Sequence, residues 1–471
     1  MVDAARAGEV IAIRAIGGMP GIGKTALAVH AAHELRGRFP DGQLYVNLRG
    51  SSGHPAAPTD VLGRFLRDLG LPAELIPPGA EDRATRYRSL ISHRRVLVVL
   101  DDAATAAQVR PLLPASRKCA VLVTSRQRLA DLEGSRPVEL DVLDDADGRA
   151  LFARIVGAEP VAAEPAATDA VVRACAGLPL ALRIAGARLA SRPGWTVATL
   201  AARLADARRR LDELAVGDLA VRTNFEVSYA TLIRPAGAAP GQADPARVFR
   251  LAALVDGPSI SLPVVAAAAD TAPERIEPSL ELLVDAHLLE SPEPGRYRFH
   301  DLLRVYAAER ATAEETRAGR DGAVRRSLDW YLHTADAAAG LIDPHRRRVP
   351  LDPAAPGREP ISFVCRHQAL SWMDTEFPNL AAAAAQAARS ELDDIAWKLS
   401  LLLSFMFDLR GHFADRTDSL RAGLASARRL GDRYAEGWLL GQLASGLVDS
   451  GQPDLAGRLP APGPDQRPCV G

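Results

Sequence analysis

The sequence predicts a multidomain α/β plus α protein, with a parallel-sheet domain at the front and helical domains behind it. Three observations carry that expectation. Over the first 143 residues, short apolar runs alternate with amphipathic helical patterns, the pattern of a parallel sheet covered on both faces. From about residue 144 the patterning is helical, broken by one hairpin-like segment. The chain has 471 residues, too many for one hydrophobic core.

In chain order, "EVIAIRAIGG" reads as a strand ending in glycines, and "KTALAVHAAHELRGRF" as a helix closed by Gly37. "GQLYVNLRG", "RRVLVVLDD" and "CAVLVTSR" read as further strands. The last two are continuous apolar runs, as strands buried on both faces require. Helices are expected between them at "TDVLGRFLRDLG", "EDRATRYRSLISHRR" and "AATAAQVRPLL". This α/β domain should span residues 1–143, ending near "RPVELDVL", with a helical domain over 144–215. The next domain should span 216–315, and between roughly 245 and 315 it holds three helical patterns and then "LLESPEPGRYRFHDLL", a hairpin with Pro and Gly at its tip. Helices followed by such a hairpin suggest a winged helix. "IDPHRRRVPLDPAAPGREP" makes 316–360 a linker. The helices of 361–471 read as a partial array of α-hairpins. "LRGHFADRTDSL" and "DSGQPDLAGRL" place similar turns about forty residues apart, the spacing of a helix-pair repeat.

A net charge of −1 removes any global argument for nucleic acid or an anionic membrane as partner. Cys119, Cys175, Cys365 and Cys469 have no paired spacing, which excludes a disulfide scaffold and suits a reducing compartment. No apolar run is long enough to span a bilayer, and "MVDAARAGEV" lacks the plan of a signal peptide. A cytoplasmic protein is expected.

Only three of the 57 basic residues are lysines, and one of them, Lys24, stands in "GMPGIGKT" between a strand and a helix. G-x-x-x-x-G-K-[ST] in that context is the P-loop of nucleotide-binding proteins. Gly21 and Gly23 let backbone N–H groups turn around a phosphate, and the following helix aims its positive dipole end at the same anion. Lys24 adds a compact charge that threads the loop more easily than an arginine fork. Gly18, Gly21, Ile22, Gly23, Lys24, Thr25 and Ala26 are therefore the candidate phosphate-binding residues. Thr25 would lend its hydroxyl to Mg²⁺. Asp101, ending the buried strand "RVLVVLDD", would hold the same ion's water shell. Asp102 is the catalytic candidate, polarising an attacking water, although either aspartate could instead cap the next helix. Arg126, ending "VLVTSR", is placed to sense a γ-phosphate or to be a solvated arginine.

With these elements in this order, the chain resembles the NB-ARC class of signal-transducing (STAND) P-loop ATPases over roughly residues 10–315. "CAGLPLALRIAGARLA" looks like the GLPL motif of that class and "YRFHDLLRVYA" like its MHD motif. "FPDGQLYVNLRG" with "RVLVVLDDAATAAQVRPLLP" is closer still to the ATPase segment of actinobacterial regulators of the SARP/AfsR type. The resemblance implies ADP and ATP with Mg as ligands, Pro179 against the adenine and His300 on the β-phosphate of ADP. From the residues alone, Gly177 and Pro179 could be a helix stop and start, and His300 an ordinary hydrogen-bonded histidine. It further implies a slow Mg-dependent ATPase acting as a regulatory switch, a protein partner for tetratricopeptide-like C-terminal helices, and self-assembly in the ATP state.

Two other readings compete, a scaffold with a vestigial nucleotide site and a winged-helix DNA-binding regulator. Against the second, "PERIEPSLELLVDAHL" carries Glu274, Glu277, Glu281 and Asp285 with one cation, Arg275, so no direct nucleic-acid contact is expected. The class usually has a Gly-Arg-x-x-Glu-type segment ahead of the phosphate loop, and its activators have DNA-binding modules upstream. The residues before Gly18 match neither, so a weak preference for adenine over guanine is expected.

Overall fold

The computed structural model describes residues 12–52, 54–217, 219–232, 242–345, 347–410 and 413–449. The chain forms two compact units. Met1–Gly237, Leu282–Leu289 and His300–Tyr306 make the first, and Ala238–Glu281, Glu290–Phe299 and Ala307–Gly471 the second.

The first unit is built on β1 (Ala12–Gly17), α1 (Lys24–Glu34), β2 (Gln43–Asn47), α2 (Pro58–Asp68), α3 (Ala80–Ile91), β3 (Leu97–Ala103), α4 (Ala106–Val109), β4 (Ala120–Ser125) and β5 (Ser135–Glu139). The strands form one parallel sheet in the order β2-β3-β4-β1-β5. Both faces are buried, and β3 shows how. Val98 and Leu100 join Val61, Leu62, Phe65 and Tyr87 of α2 and α3 in one core, while Leu97 and Val99 join Ala28 and Ala31 of α1 in another. A period of two with both sides covered is why these strands read as continuous apolar runs.

β5 lies inside the segment expected only to close the domain. "SRPVE" carries no apolar pattern, because as an edge strand it is largely exposed and can accommodate Pro137. The helix expected at "AATAAQVRPLL" is a single turn continued by a 3-10 turn, Arg110–Leu112, in which Pro111 has no N–H to give.

Six helices follow: α5 (Asp145–Val156), α6 (Ala158–Ala163), α7 (Pro165–Ala174), α8 (Pro179–Ala190), α9 (Val197–Ala205) and α10 (Arg210–Glu213). A two-residue-stranded hairpin, β6 (Ala215–Val216) and β7 (Leu219–Ala220), leads into α11 (Val221–Leu232).

Beyond it run α12 (Pro245–Ala252), β8 (Ile260–Ser261), α13 (Leu262–Ala269), α14 (Pro273–Asp285), β9 (Glu290–Glu293), β10 (Arg296–Arg298) and α15 (Asp301–Glu314). β9 and β10 form the expected hairpin about Pro294 and Gly295, and β8 adds to it in the order β8-β10-β9. The stretch 316–360 is not simply a linker. It opens with α16 (Arg317–Ile342), which buries Leu328, Trp330, Tyr331 and Leu332. The proline-rich composition begins only after that helix, so its apolar positions were hidden by the segment that follows. Then come α17 (Arg366–Arg389), α18 (Asp393–Arg410), α19 (Phe413–Leu430) and α20 (Arg433–Asp449), each packed on the one before. The turn expected at "DSGQPDLAGRL" lies outside the described residues, save for its first. No described helix is long and apolar enough to cross a membrane.

Candidate functional site

The phosphate-loop glycines adopt backbone angles that side chains resist: φ is +135° at Gly18, +86° at Gly21 and +100° at Gly23. Gly23 is the N-cap of α1 and no side chain caps that end, so the first N–H groups of the helix are open to an anion. A Cβ at Gly23 would meet nothing within 4 Å, so left-handed backbone rather than crowding asks for glycine there. Lys24 is 9% exposed and its Nζ donates to the carbonyls of Gly18 (2.6 Å) and Met19 (3.0 Å). Burial, then the positive charge of Arg126, pushes its pKa down to about 7.

Asp101 is 2% exposed. Its Oδ1 accepts from Thr25 Oγ1 (2.8 Å) and Thr124 Oγ1 (2.6 Å), and its Oδ2 from Tyr45 OH (3.2 Å) and Asn47 Nδ2 (3.4 Å). The hydroxyl and carboxylate expected to share a metal are thus adjacent. Asp102 has φ +54° and sits where the β3–β4 register breaks, between Leu100 and Ala103. That irregularity matters, because in a regular strand successive side chains point to opposite faces, whereas both aspartates line one cavity. Neither caps α4, whose N-cap is Thr105. Instead Asp102 Oδ2 accepts from Ser51 N (3.0 Å) and Ser51 Oγ (2.6 Å), and Oδ1 lies 3.7 Å from Arg126 Nε. Arg126 also donates to the carbonyl of Asn224 on α11 (3.0 Å), so it is not a solvated arginine.

The cavity measures about 650 Å³ and lies wholly in the first unit, a volume suited to a nucleotide-sized ligand. Gly21, Gly23, Lys24, Thr25, Ala26, Asp101, Asp102, Arg126 and Pro179 line it, with Leu151, Ile155, Leu180 and Arg183. Pro179 is the first residue of α8, where its missing N–H costs nothing, and Leu180 N donates to the carbonyl of Gly21 (3.2 Å). The helix-start and ligand-wall readings of Pro179 are therefore compatible. Gly177 has φ +66°, and a Cβ there would lie 2.2 Å from the Leu143 carbonyl.

Three expected residues do not line the cavity: Gly18, Ile22 and His300. Ile22 is a core side chain. Gly18 donates its N–H to His287 Nε2 (3.2 Å). His300 has its Nε2 3.0 Å from the carbonyl of Ala176 and accepts at Nδ1 from Leu302 N (3.3 Å). It supports the turn that leads into Pro179.

The residues fit a nucleotide with its metal: an uncapped helix end behind left-handed glycines, and a buried carboxylate beside a threonine hydroxyl. Among the described residues no group of three or more His, Cys, Asp or Glu gathers to hold a metal, so an ion at Thr25 and Asp101 would share its coordination with phosphate and water. Sequence reasoning missed Tyr45, Asn47, Ser51, Thr124 and His287. Tyr45, Asn47 and Thr124 follow only from strand register, Asn47 standing opposite Asp101, Ser51 comes from the turn after β2, and for His287 no sequence signal marked the contact.

Residues 5–162 match the NB-ARC domain. Over 387 residues the chain is 50% identical to the regulatory protein AfsR of Streptomyces griseus, spanning 81% of this chain and 38% of that protein. AfsR of Streptomyces coelicolor is 50% identical over 388 residues, with the same shares. The chain therefore spans under two fifths of the length of these relatives. Among solved structures, a signal transduction ATPase with numerous domains and a tetratricopeptide repeat sensor, from Pyrococcus horikoshii, aligns over 96% of this chain and 74% of its own, at 15% identity and a TM-score of 0.29.

Proposed function

We propose that this chain, which carries an NB-ARC domain and is similar to the AfsR regulatory proteins, works as an ADP/ATP-binding regulatory switch with slow Mg-dependent ATPase activity. One observation carries the reading: a single cavity lined by the glycine loop, Lys24, Thr25, both aspartates, Arg126 and Pro179.

In this reading the N–H groups at the start of α1 and Lys24 bind the phosphates, and Thr25 and Asp101 hold the metal. Magnesium would supply positive charge to the terminal phosphate oxygens. Asp102 orients the attacking water through Oδ1, since Oδ2 is taken by Ser51. Arg126 senses the terminal phosphate by leaving the Asn224 carbonyl. Pro179, Leu151 and Ile155 offer an apolar wall to the base. Two pieces of chain from the hairpin region, Leu282–Leu289 and His300–Tyr306, belong to the nucleotide-binding unit. Their release on exchange of ADP for ATP is the switch step. The 216–315 region serves as a winged helix. The helices from residue 361 serve as a tetratricopeptide-like partner surface, and the ATP state self-assembles. The protein acts in the cytoplasm, without direct nucleic-acid contact.

The test is calorimetry of ADP and ATP on the purified chain, with and without Mg, followed by a turnover assay. Submillimolar ADP binding and slow hydrolysis are expected. Absence of binding at millimolar nucleotide would overturn the reading, and binding without any turnover would leave a vestigial site.

A further inference from the structure

Helix α14 ends in a paired-hydrogen-bond stop: Leu288 N donates to Leu283 O (2.9 Å) and His287 N to Val284 O (3.0 Å). This is the Schellman arrangement, and its left-handed position belongs by preference to glycine. Here it is His287, with φ +52°, a left-handed conformation that a side chain disfavours. At His287 the side chain in that position is put to use by the fold.

The side chain is 8% exposed and its Nε2 accepts the N–H of Gly18, 269 residues earlier in the chain (3.2 Å). That bond fixes the tautomer, leaving the ring proton on Nδ1, which faces Glu139 Oε2 at 3.7 Å. Burial, then the charges of Lys24 and Arg128, hold His287 down at about 3, so the ring stays a neutral acceptor. A second tie runs alongside, from Arg128 N to Asp285 O (2.9 Å). Gly18 is consequently gripped at both ends, by His287 on its N–H and by Lys24 on its carbonyl (2.6 Å).

We propose that His287 is a positioning residue for the phosphate loop. It fixes the entry into the loop at Gly18 and thereby makes nucleotide retention depend on the Leu282–Leu289 segment. The proposal rests on the nucleotide reading above.

The test uses the full chain with His287→Phe, which keeps a ring without an acceptor, and His287→Gln, which keeps an acceptor at the same reach. ADP dissociation is measured by stopped flow, and amide exchange over residues 17–23 without nucleotide. His287→Phe should release ADP roughly tenfold faster and speed loop exchange, while His287→Gln should return both to within about threefold of wild type. Wild-type rates in both variants, or equal acceleration in both, would overturn the proposal. If wild-type protein fails to bind ADP, the nucleotide reading falls, and loop exchange alone decides the positioning role. Should His287→Phe not fold, His287→Gly, suited to the left-handed backbone and lacking the acceptor, takes its place.

Discussion

Replacing Asp101 with asparagine separates charge from shape at the proposed metal site. An amide oxygen in place of Oδ1 keeps the bonds from Thr25 (2.8 Å) and Thr124 (2.6 Å). The amide nitrogen in place of Oδ2 faces Tyr45 OH, whose lone pairs can accept, and Asn47 Nδ2, which has none to offer. The cost is one donor–donor mismatch at a cavity wall, about 1 kcal/mol, or a Tm fall of about 2–4 °C for a domain of this size. The metal loses its anionic ligand outright. The gain in ATP affinity that Mg confers should shrink about tenfold, equivalent to about 1.4 kcal/mol. Thermal unfolding without nucleotide reads the first quantity, and calorimetry of ATP with and without Mg reads the second. An undiminished Mg effect in a stable variant would remove Asp101 from the metal site. A Tm fall beyond about 10 °C would mean that the hydrogen-bond accounting is wrong.

Lys24→Ala should abolish most ADP and ATP affinity yet remain folded, because the ammonium bonds only loop carbonyls; unchanged affinity by calorimetry would sink the P-loop assignment. Since burial lowers Lys24 to about 7, and a bound phosphate would restore its charge, binding takes up a proton above that pH. ADP affinity should therefore fall between about pH 7.5 and about pH 9, by at most about tenfold per unit, a window above the phosphate's own titration near 6; a flat profile contradicts this. Asp102→Ala should keep nucleotide binding and slow hydrolysis by roughly a hundredfold, and wild-type turnover in the variant would remove its catalytic role. His300→Ala removes a partner of the Ala176 carbonyl, so ADP should leave faster and proteolysis between residues 215 and 320 should rise; equal off-rates would return His300 to an ordinary structural histidine.

What the sequence made legible divides along physical lines. β1 to β4 were readable because a sheet covered on both faces concentrates apolar residues in short runs, Lys24 and Thr25 because loop chemistry leaves a fixed spacing, and Asp101 because it ends one of those apolar runs. β5 was not, since an edge strand with Arg136 and Pro137 buries too little to leave a pattern. α16 was hidden because a Pro/Arg-rich stretch begins directly after its end. Ser51 and Thr124 reach the aspartates across loop and strand pairings that only the folded register creates. His300 was singled out by resemblance alone, and its bond to the carbonyl of Ala176 joins positions 124 apart. His287 combines a contact across 269 positions with a backbone conformation that composition does not betray.

The central claim is that nucleotide state governs whether Leu282–Leu289 and His300–Tyr306 stay with the nucleotide-binding unit. Hydrogen–deuterium exchange of those two segments, in the full chain with ADP and then with Mg and a non-hydrolysable ATP analogue, tests it most directly. Protection with ADP and at least about tenfold faster exchange with the analogue is the expected result, as a shift of about 1.4 kcal/mol in a two-state equilibrium gives. Identical exchange in the two states, at saturating nucleotide, would contradict it.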